Sequence, residues 1–388
     1  MKRFLLGSTA LAGAAAFAAP ALGAQGLELG LGGRYAAAAG VLFDQDSGPG
    51  ESGDNTHSQV LRQDVEVYFH GGVTLDNGLK IGVQLQLEGM QSADQIDEVY
   101  AFFESGQWGQ IRFGDTAEAL GQLCYLVPVA GNLFGVDSPY FEFNNAAKNG
   151  FANTNSSCLG LDGNATKIVY FSPTFGGFSF ALSWAPDRRG EDTYSGFTGA
   201  AGGFGGGGTT GDNNVGQVKD SFSGAITFSH DFQDFSLNLG AGITHAEWEA
   251  PASGQDKGIE NYNAYAQVSF GGWLVGGSFG YISNWNSSSP NEVDLWVAGA
   301  GVTYSWDEWT AGLAYSHGHY EINSPGDNDA LDIVQAQLSY ALAEGVRIDG
   351  MLGYAAYADD HNNGKKPGFG PSGDYDAVEA GLGFFIGF

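Results

Sequence analysis

The C-terminal residues alternate between apolar side chains and small or polar ones. Every second residue from Val378 to Phe388 is apolar, whereas Glu379, Gly381 and Gly383 lie between them. Because successive side chains of a β-strand point to opposite faces, this pattern predicts a strand with one apolar face and one small, polar face. A strand of about 10 residues with an outward apolar face is typical of a transmembrane β-barrel.

The same period of two recurs along the chain, and the connections between these segments alternate between short and long. Asn77-Gly78 is one of the short ones and favours a type I′ hairpin. Seven tight turns join fourteen segments in pairs, and one segment at each end completes the set. The sequence therefore predicts an all-β, antiparallel barrel of about sixteen strands, with short periplasmic turns and long extracellular loops. The clearest alternating segments are residues 28–34, 80–88, 237–244, 262–270, 296–306, 334–342 and 378–388.

The first residues have the composition of a secretory signal peptide. Lys2 and Arg3 precede an apolar stretch, and small residues around Ala24 follow it. We expect residues 1–24 to be removed and residues 25–388 to form a single domain. Beyond the signal, no run of about 18 apolar residues occurs, so this chain can cross a membrane only with strands.

The chain is strongly acidic, with 15 basic and 44 acidic residues and a formal net charge of −29. This balance argues against nucleic acid as a partner and favours cations. An aromatic content of 13% is too high for a disordered chain. No nucleophile elbow, metalloprotease motif or Walker loop is present, so the sequence predicts no enzyme.

Two other classes of protein share parts of this pattern. An outer-membrane lipase or protease needs Ser, His and an orienting partner at the barrel rim, and the sequence shows no such constellation. A soluble, secreted β-sandwich fills its inward faces with bulky apolar side chains. Here the second face carries Gly, Ser, Gln and Asn, which favours a barrel with a watery interior.

The two cysteines, Cys124 and Cys158, fall in one long segment without strand character. In an oxidising compartment a disulfide between them is the simplest interpretation, and two free thiols are the alternative. Neither cysteine has the Cys-x-x-Cys spacing or the nearby His pattern of a metal or redox site.

Several segments match those of a known family, namely 75–79, 97–100, 106–114, 168–173, 175–178 and the terminal Phe388. On these segments the chain resembles the general trimeric porins of the Gram-negative outer membrane. The resemblance implies a sixteen-stranded barrel whose third long loop, here 115–165, folds into the lumen. It also implies a homotrimer in contact with outer-membrane lipids and lipopolysaccharide, without a cofactor, and makes Phe388 an outer-membrane insertion signal.

Charged residues in this framework suggest an electrostatic constriction. Acidic side chains on the loop that face basic side chains on the wall would set a transverse electric field across the pore. This arrangement is similar to that of the family. Solvated charges without a special role are the alternative. Val169 and Phe171 take inward positions that are often polar in relatives. The expected basic wall is Arg34, Arg62, Lys80, Arg112 and Lys167, and the expected acidic loop residues are Asp115, Glu118, Asp137 and Glu142.

These features together predict a pore for passive diffusion of small hydrophilic solutes and ions, with a weak preference for cations. A substrate-specific channel for sugars or anions is the alternative. Acidic clusters in the long loops could bind structural Ca²⁺ or Mg²⁺ and cross-link the loops to lipopolysaccharide. A solvated acidic rim is the favoured interpretation, because no EF-hand spacing is present. The loop residues considered for Ca²⁺ are Asp327, Asp329, Asp359 and Asp360.

Overall fold

A computed structural model provides the fold. It describes residues 26–44, 58–89, 96–141, 143, 155–188, 217–251, 258–287, 289, 291–321, 328–359 and 375–388. The predicted signal peptide, residues 1–24, lies outside the described residues.

Sixteen antiparallel strands form one closed barrel, in which each strand pairs with its neighbours in sequence and β1 pairs with β16. The prediction of about sixteen strands is confirmed. In chain order the strands are β1 Glu28–Asp44, β2 Gln59–Thr74, β3 Lys80–Glu88, β4 Ile96–Ser105, β5 Gly109–Asp115, β6 Thr166–Phe171, β7 Phe178–Asp187, β8 Val218–Asp231, β9 Ser236–Trp248, β10 Gly258–Phe270, β11 Trp273–Ser283, β12 Leu295–Trp306, β13 Trp309–Glu321, β14 Asn328–Ala343, β15 Val346–Asp359 and β16 Tyr375–Gly387.

The two faces of each strand differ as the alternation predicts. In β14, Val334 and Leu338 are exposed on the outside of the barrel, whereas Gln335 and Gln337 are buried inside it. An apolar side chain that faces water loses its hydrophobic stabilisation, but the same side chain facing lipid does not. The exposed apolar belt and the polar inner face therefore both fit a barrel embedded in a membrane.

Short turns lie at one end of the barrel and long connections at the other. Gly78 has a φ of +82° in the turn between β2 and β3, and its N–H donates to Leu75 O at 2.8 Å. A glycine at this position avoids the strain that a Cβ would bring to the left-handed region. Aromatic rings pair on the outer face beside these turns, as in the interfacial girdle of membrane barrels. The pairs are Phe178–Phe228, Phe232–Phe235, Trp273–Tyr304 and Trp309–Tyr340.

The last residue closes the barrel. Gly33 N donates to Phe388 O at 2.8 Å, and Phe388 N donates to Gly33 O at 3.0 Å, so β16 and β1 stay paired up to the C-terminus. The Phe388 ring covers the position that a side chain at residue 33 would occupy. Gly33 is therefore required for this close approach.

A short helix lies between two of the strands. The helix α1 spans Ala119–Gln122, in the connection between β5 and β6. No helix in the described residues is both long and apolar enough to cross a membrane.

Candidate pore constriction

We refer to the connection between β5 and β6, residues 116–165, as L3. Its described residues, 116–141, 143 and 155–165, lie inside the barrel. They follow the inner face of the wall from β7 round to β16. Polar side chains of the wall hold the L3 backbone: Ser183 accepts from Ala119 N at 3.0 Å, and Ser223 accepts from Leu120 N at 2.9 Å. On the other side, Asp349 accepts from Asn132 N at 3.0 Å. The loop is therefore fixed along one half of the circumference.

Glycines on the inner face make room for L3. A Cβ at Gly280 would come within 2.6 Å of Ser157 O, and a Cβ at Gly381 would come within 2.9 Å of the Phe134 ring. Since real Cβ atoms do not approach other atoms this closely, L3 could not keep its place with larger residues there. The inner face of these strands, which carries small residues, is thus packed against L3 and does not face water.

The acidic residues expected to face the pore from L3 instead hold the loop to the wall. Glu118 is buried, and its carboxylate accepts from Leu161 N at 3.1 Å and Thr244 Oγ1 at 2.8 Å. Asp137 is also buried and accepts from Ser157 N at 3.0 Å and Ser278 Oγ at 3.1 Å. Backbone amides and wall hydroxyls meet these carboxylates from both sides, which leaves neither of them in contact with the opening.

Burial also changes the titration of these two carboxylates. Desolvation, reinforced by the neighbouring Asp162, raises the pKa of Glu118 well above its ordinary value. Desolvation likewise raises the pKa of Asp137, although its hydrogen bonds with Ser157 and Ser278 act in the opposite direction. Burial thus shifts both groups toward the neutral form, and neither of them contacts the opening.

Two more of the expected site residues take other places. Asp115 ends β5 rather than belonging to L3, and Thr166 Oγ1 on β6 donates to its carboxylate. Lys167 is buried and forms an ion pair with Asp162 at 3.1 Å, and its Nζ donates to Gly163 O at 2.8 Å. Lys167 thus stabilises the base of L3 and is not part of a basic pore wall. Glu142 lies outside the described residues.

The disulfide that the compartment suggested is present in L3. Cys124 and Cys158 are bonded, with their Cα atoms 5.8 Å apart. Cys124 follows α1 on the outgoing arm, and Cys158 lies on the returning arm. The bond therefore ties the two arms of L3 together.

The inner face of β1–β5 carries the basic residues that do line the opening. Arg34 donates to Asp64 Oδ2 at 3.2 Å and to Tyr68 Oη at 3.1 Å, forms an ion pair with Glu66, and lies 4.5 Å from the Tyr140 ring of L3. Arg34 therefore connects the wall to the loop, and its charge is matched by carboxylates.

The other three cations of this wall are less neutralised. Arg112 lies between the rings of Tyr100 and Phe171, at 4.7 and 4.6 Å from their centroids. Lys80 lies 5.8 Å from the Phe102 ring, and Arg62 is exposed. Phe171 thus packs against a guanidinium, while its neighbour on the same face, Val169, is fully buried.

Several carboxylates on this same wall were not among the site residues expected from the sequence. Carboxylate oxygens of Glu66, Glu88 and Asp97 lie within 4.8 Å of one another. Glu98 accepts from Ala117 N at 3.0 Å and from Gln86 Nε2 at 2.9 Å, and the exposed Glu104 accepts from Gln110 Nε2 at 2.9 Å. Most of these residues have the inward parity of the basic ones, a signal available in the sequence. The pore wall is therefore mixed and rich in acid.

The remaining predicted positions lie away from the constriction. Asp329 is buried at the long-loop end of β14, where Tyr357 Oη donates to it at 2.6 Å. Asp327, Asp360 and the side chain of Asp359 lie outside the described residues, so a Ca²⁺ or Mg²⁺ site among these loops stays a prediction.

Comparison with known families agrees with this architecture. Residues 7–365 match the model of a family described as Gram-negative porin. The chain belongs to this family. Porins are outer-membrane proteins, so this porin is located in the outer membrane, where its barrel forms a channel for solute diffusion. A sequence comparison with curated proteins gave no match.

Solved structures show the same fold at low sequence identity. An anion-selective porin from Comamonas acidovorans is 14% identical, with a TM-score of 0.58 over 94% of this chain and 100% of that chain. The outer-membrane channel DcaP of Acinetobacter baumannii is 12% identical, with a TM-score of 0.59 over 94% and 98%. OmpF of Salmonella typhi, in complex with daunomycin, is 12% identical, with a TM-score of 0.58 over 94% and 98%. These likenesses support the fold alone.

Proposed function

We propose that this porin is a diffusion pore for small hydrophilic solutes that prefers cations weakly. The observation that carries the proposal is the acid-rich wall opposite L3, where Glu66, Glu88 and Asp97 lie together. Arg34 is the nearest cation and is already matched by Asp64 and Glu66. Fixed charge in a narrow pore raises the local concentration of counter-ions, so an excess of carboxylates favours cations.

Electrical measurement of the pore tests this proposal. The reversal potential of the protein in planar bilayers under a KCl gradient should show a permeability ratio that favours K⁺. We choose Glu88→Gln and Glu104→Gln as the double variant because neither residue anchors L3. One unit charge about 8 Å from an ion contributes about 0.5 kcal/mol in water, which attracts K⁺ and repels Cl⁻ by about two-fold each. Each substitution should therefore lower the ratio by about five-fold.

The control for this experiment is Glu344→Gln, in the short turn between β14 and β15 and outside the lumen. This variant removes one acidic charge and should leave the permeability ratio unchanged. A clear preference for Cl⁻ in the wild-type protein would contradict the proposal and favour a specific anion channel, the selectivity named for the Comamonas acidovorans porin.

We also propose that the porin is a homotrimer in contact with outer-membrane lipids and lipopolysaccharide. A solved OmpT of Vibrio cholerae with the same fold is described as a trimer form, at 13% identity and a TM-score of 0.54. Unheated electrophoresis and cross-linking of the purified protein would show a trimer band that heat converts to monomer. A monomer under all mild conditions would contradict this assembly.

A further inference from the structure

An apolar cavity lies in the inner wall on the extracellular side of L3. It has a volume of about 160 Å³ and is bounded by the returning arm of L3 and by the long-loop ends of β8–β12. Most of its surface belongs to buried apolar side chains, and Leu159, Trp285 and Arg188 are more exposed. The buried lining residues are Leu161, Val218, Trp248, Ile259, Ile282 and Leu295.

The polar atoms of this lining are already bonded to the protein. Trp248 Nε1 donates to Asn284 O at 2.9 Å, and Trp285 Nε1 donates to Glu321 O at 2.8 Å. Asn261 Nδ2 donates to Leu159 O, which fixes the L3 side of the cavity. The indoles therefore present only their ring surfaces, and the shape of the cavity is set by hydrogen bonds outside it.

The size and polarity of the cavity indicate what it can hold. An apolar cavity of about 150 Å³ in another protein stays dry and binds benzene, because water needs polar partners that such a lining does not offer. At about 160 Å³, this cavity has room for one six-membered ring. An aromatic ring would stack or pack edge-on against the indoles of Trp248 and Trp285.

Arg188 is the one charged residue in the lining. Its Nε lies 4.0 Å from the position that a Cβ of Gly163 would take, so the side chain extends across the returning arm of L3. The nearby Asp162 is paired with Lys167. Among the described residues, no carboxylate forms an ion pair with Arg188. The planar guanidinium of an arginine is suited to hold a carboxylate with two parallel hydrogen bonds.

We propose that this cavity binds a small aromatic carboxylate, with the ring in the apolar part and the carboxylate on Arg188. The site deepens the proposed function, on which it rests for access of the solute through the extracellular mouth. An aromatic acid would bind at this site on the extracellular side of the constriction, although the acidic wall of the pore disfavours other anions.

Binding of benzoate to the porin in lipid nanodiscs tests the proposal by isothermal titration calorimetry, with empty nanodiscs as the blank. Benzoate should bind with one site per chain. Acetate, which lacks the ring, and benzyl alcohol, which lacks the charge, should each bind at least about ten-fold more weakly. Equal binding of benzyl alcohol would overturn the role of Arg188, and an absence of benzoate binding would overturn the site.

Substitutions separate the two halves of the site. Arg188→Gln should weaken benzoate about ten-fold, whereas Arg188→Lys should restore part of the affinity because it keeps the charge. Lys80→Gln removes a cation at the opposite end of the lumen and should leave benzoate affinity unchanged. Benzoate affinity that is the same in Arg188→Gln and wild type would contradict the proposal.

Filling the cavity gives an independent result. Ile282→Phe should abolish benzoate binding while the variant keeps heat-modifiable migration on a gel. Because Arg188 is exposed and its variants are not expected to affect folding, the test remains decisive even where Ile282→Phe does not fold. Calorimetry needs no ion flow, so a failure here is distinguishable from a failure of the cation preference, which the reversal potential reports.

Discussion

Carboxylates inside this barrel differ in role according to the side of the lumen they occupy. Glu118 is enclosed between α1, the returning arm of L3 and β9, and accepts hydrogen bonds from each of the last two. Glu88 lies on the uncovered wall, close to Glu66 and Asp97. The first carboxylate therefore contributes to the position of the loop, and the second contributes to the potential of the pore.

The first prediction concerns the pH dependence of L3. Burial and Asp162 raise the pKa of Glu118 to about 8, so the folded protein holds a proton that the unfolded chain releases near its ordinary value. The native state then binds more protons between about pH 4.5 and 8, and stability falls as the pH rises through this window. We expect the thermal unfolding midpoint to fall over that range, and Glu118→Gln to reduce the slope.

The charged groups near Glu118 are Asp162 on the returning arm and Lys167 on β6, which pair with each other. Thr244 on β9 is a neutral partner of Glu118, and Ser223 on β8 is hydrogen-bonded to Thr244. Glu344→Gln, in an exposed turn, is the matched control and should keep the wild-type slope. An identical slope in Glu118→Gln and wild type would show that Glu118 does not carry this dependence.

The second prediction concerns the wall glycines against which L3 packs. A Cβ at Gly301 would meet Pro128 O and the Val127 side chain, so Gly301→Ala should displace L3 toward the uncovered wall. Overpacking of this kind costs about 1–3 kcal/mol. We expect a lower single-channel conductance and a lower unfolding temperature. Gly350→Ala is the control, because its Cβ on the outer face meets no atom closer than 3.7 Å, and it should leave the conductance unchanged.

At the scale of elements, alternation predicted the strands, and the resemblance to porins predicted that residues 115–165 fold into the lumen. Neither predicted the path of this loop along the wall. Alternation in β14 follows from the requirement that Val334 and Leu338 face lipid while Gln335 and Gln337 face inward. The same alternation placed Gly381 and Gly383 on a face that looked suited to water. Only the fold shows that Phe134 and Leu133 of L3 cover them, because the contact joins residues far apart in the sequence.

The charged residues of the site were also predictable on the strands and unpredictable in the loop. Parity placed Arg34 and Arg112 on the inner wall, where the structure has them. It could not place Glu118 and Asp137, because residues in a loop have no repeating period to orient them. Lys167 has inward parity, but its burial against Asp162 depends on the path of L3 and therefore could not be derived from the strand pattern.

The third prediction concerns the disulfide within L3. In the chain-entropy model, closing a loop of this length is worth about 3–4 kcal/mol. Many hydrogen bonds also hold L3, so Cys124→Ala with Cys158→Ala should leave the barrel folded and loosen the loop. We expect a lower unfolding temperature and larger fluctuations of the single-channel current than in the wild-type protein.

Reduction provides the control for this prediction. Wild-type porin in reducing agent should approach the behaviour of the double variant, and the double variant should not respond to the same agent. A double variant that matches oxidised wild type in both measurements would mean that the wall contacts alone determine the position of L3.

At the scale of the whole molecule, the backbone groups along every strand edge are hydrogen-bonded only if β1 pairs with β16. A barrel in lipid cannot leave a row of backbone groups unpaired, since each unsatisfied group costs several kcal/mol without water. Phe388 contributes to this pairing, because it exchanges two backbone hydrogen bonds with Gly33. The terminal aromatic residue was recognised in the sequence, but its partner was not.

The last prediction follows from this closure. Removal of Phe388 deletes both hydrogen bonds to Gly33 and uncovers the β1 backbone at the seam. Phe388→Ala keeps the two backbone bonds and removes only the ring, so it separates the contribution of the seam from that of the side chain. In refolding into lipid vesicles, followed by heat-modifiable migration, we expect the folded fraction to decrease from wild type through Phe388→Ala to the truncated chain. Equal folded fractions in Phe388→Ala and the truncated chain would assign the whole effect to the ring. Equal folded fractions in all three proteins would mean that the other β1–β16 pairs, which begin at Arg34 and Gly387, are sufficient to close the barrel.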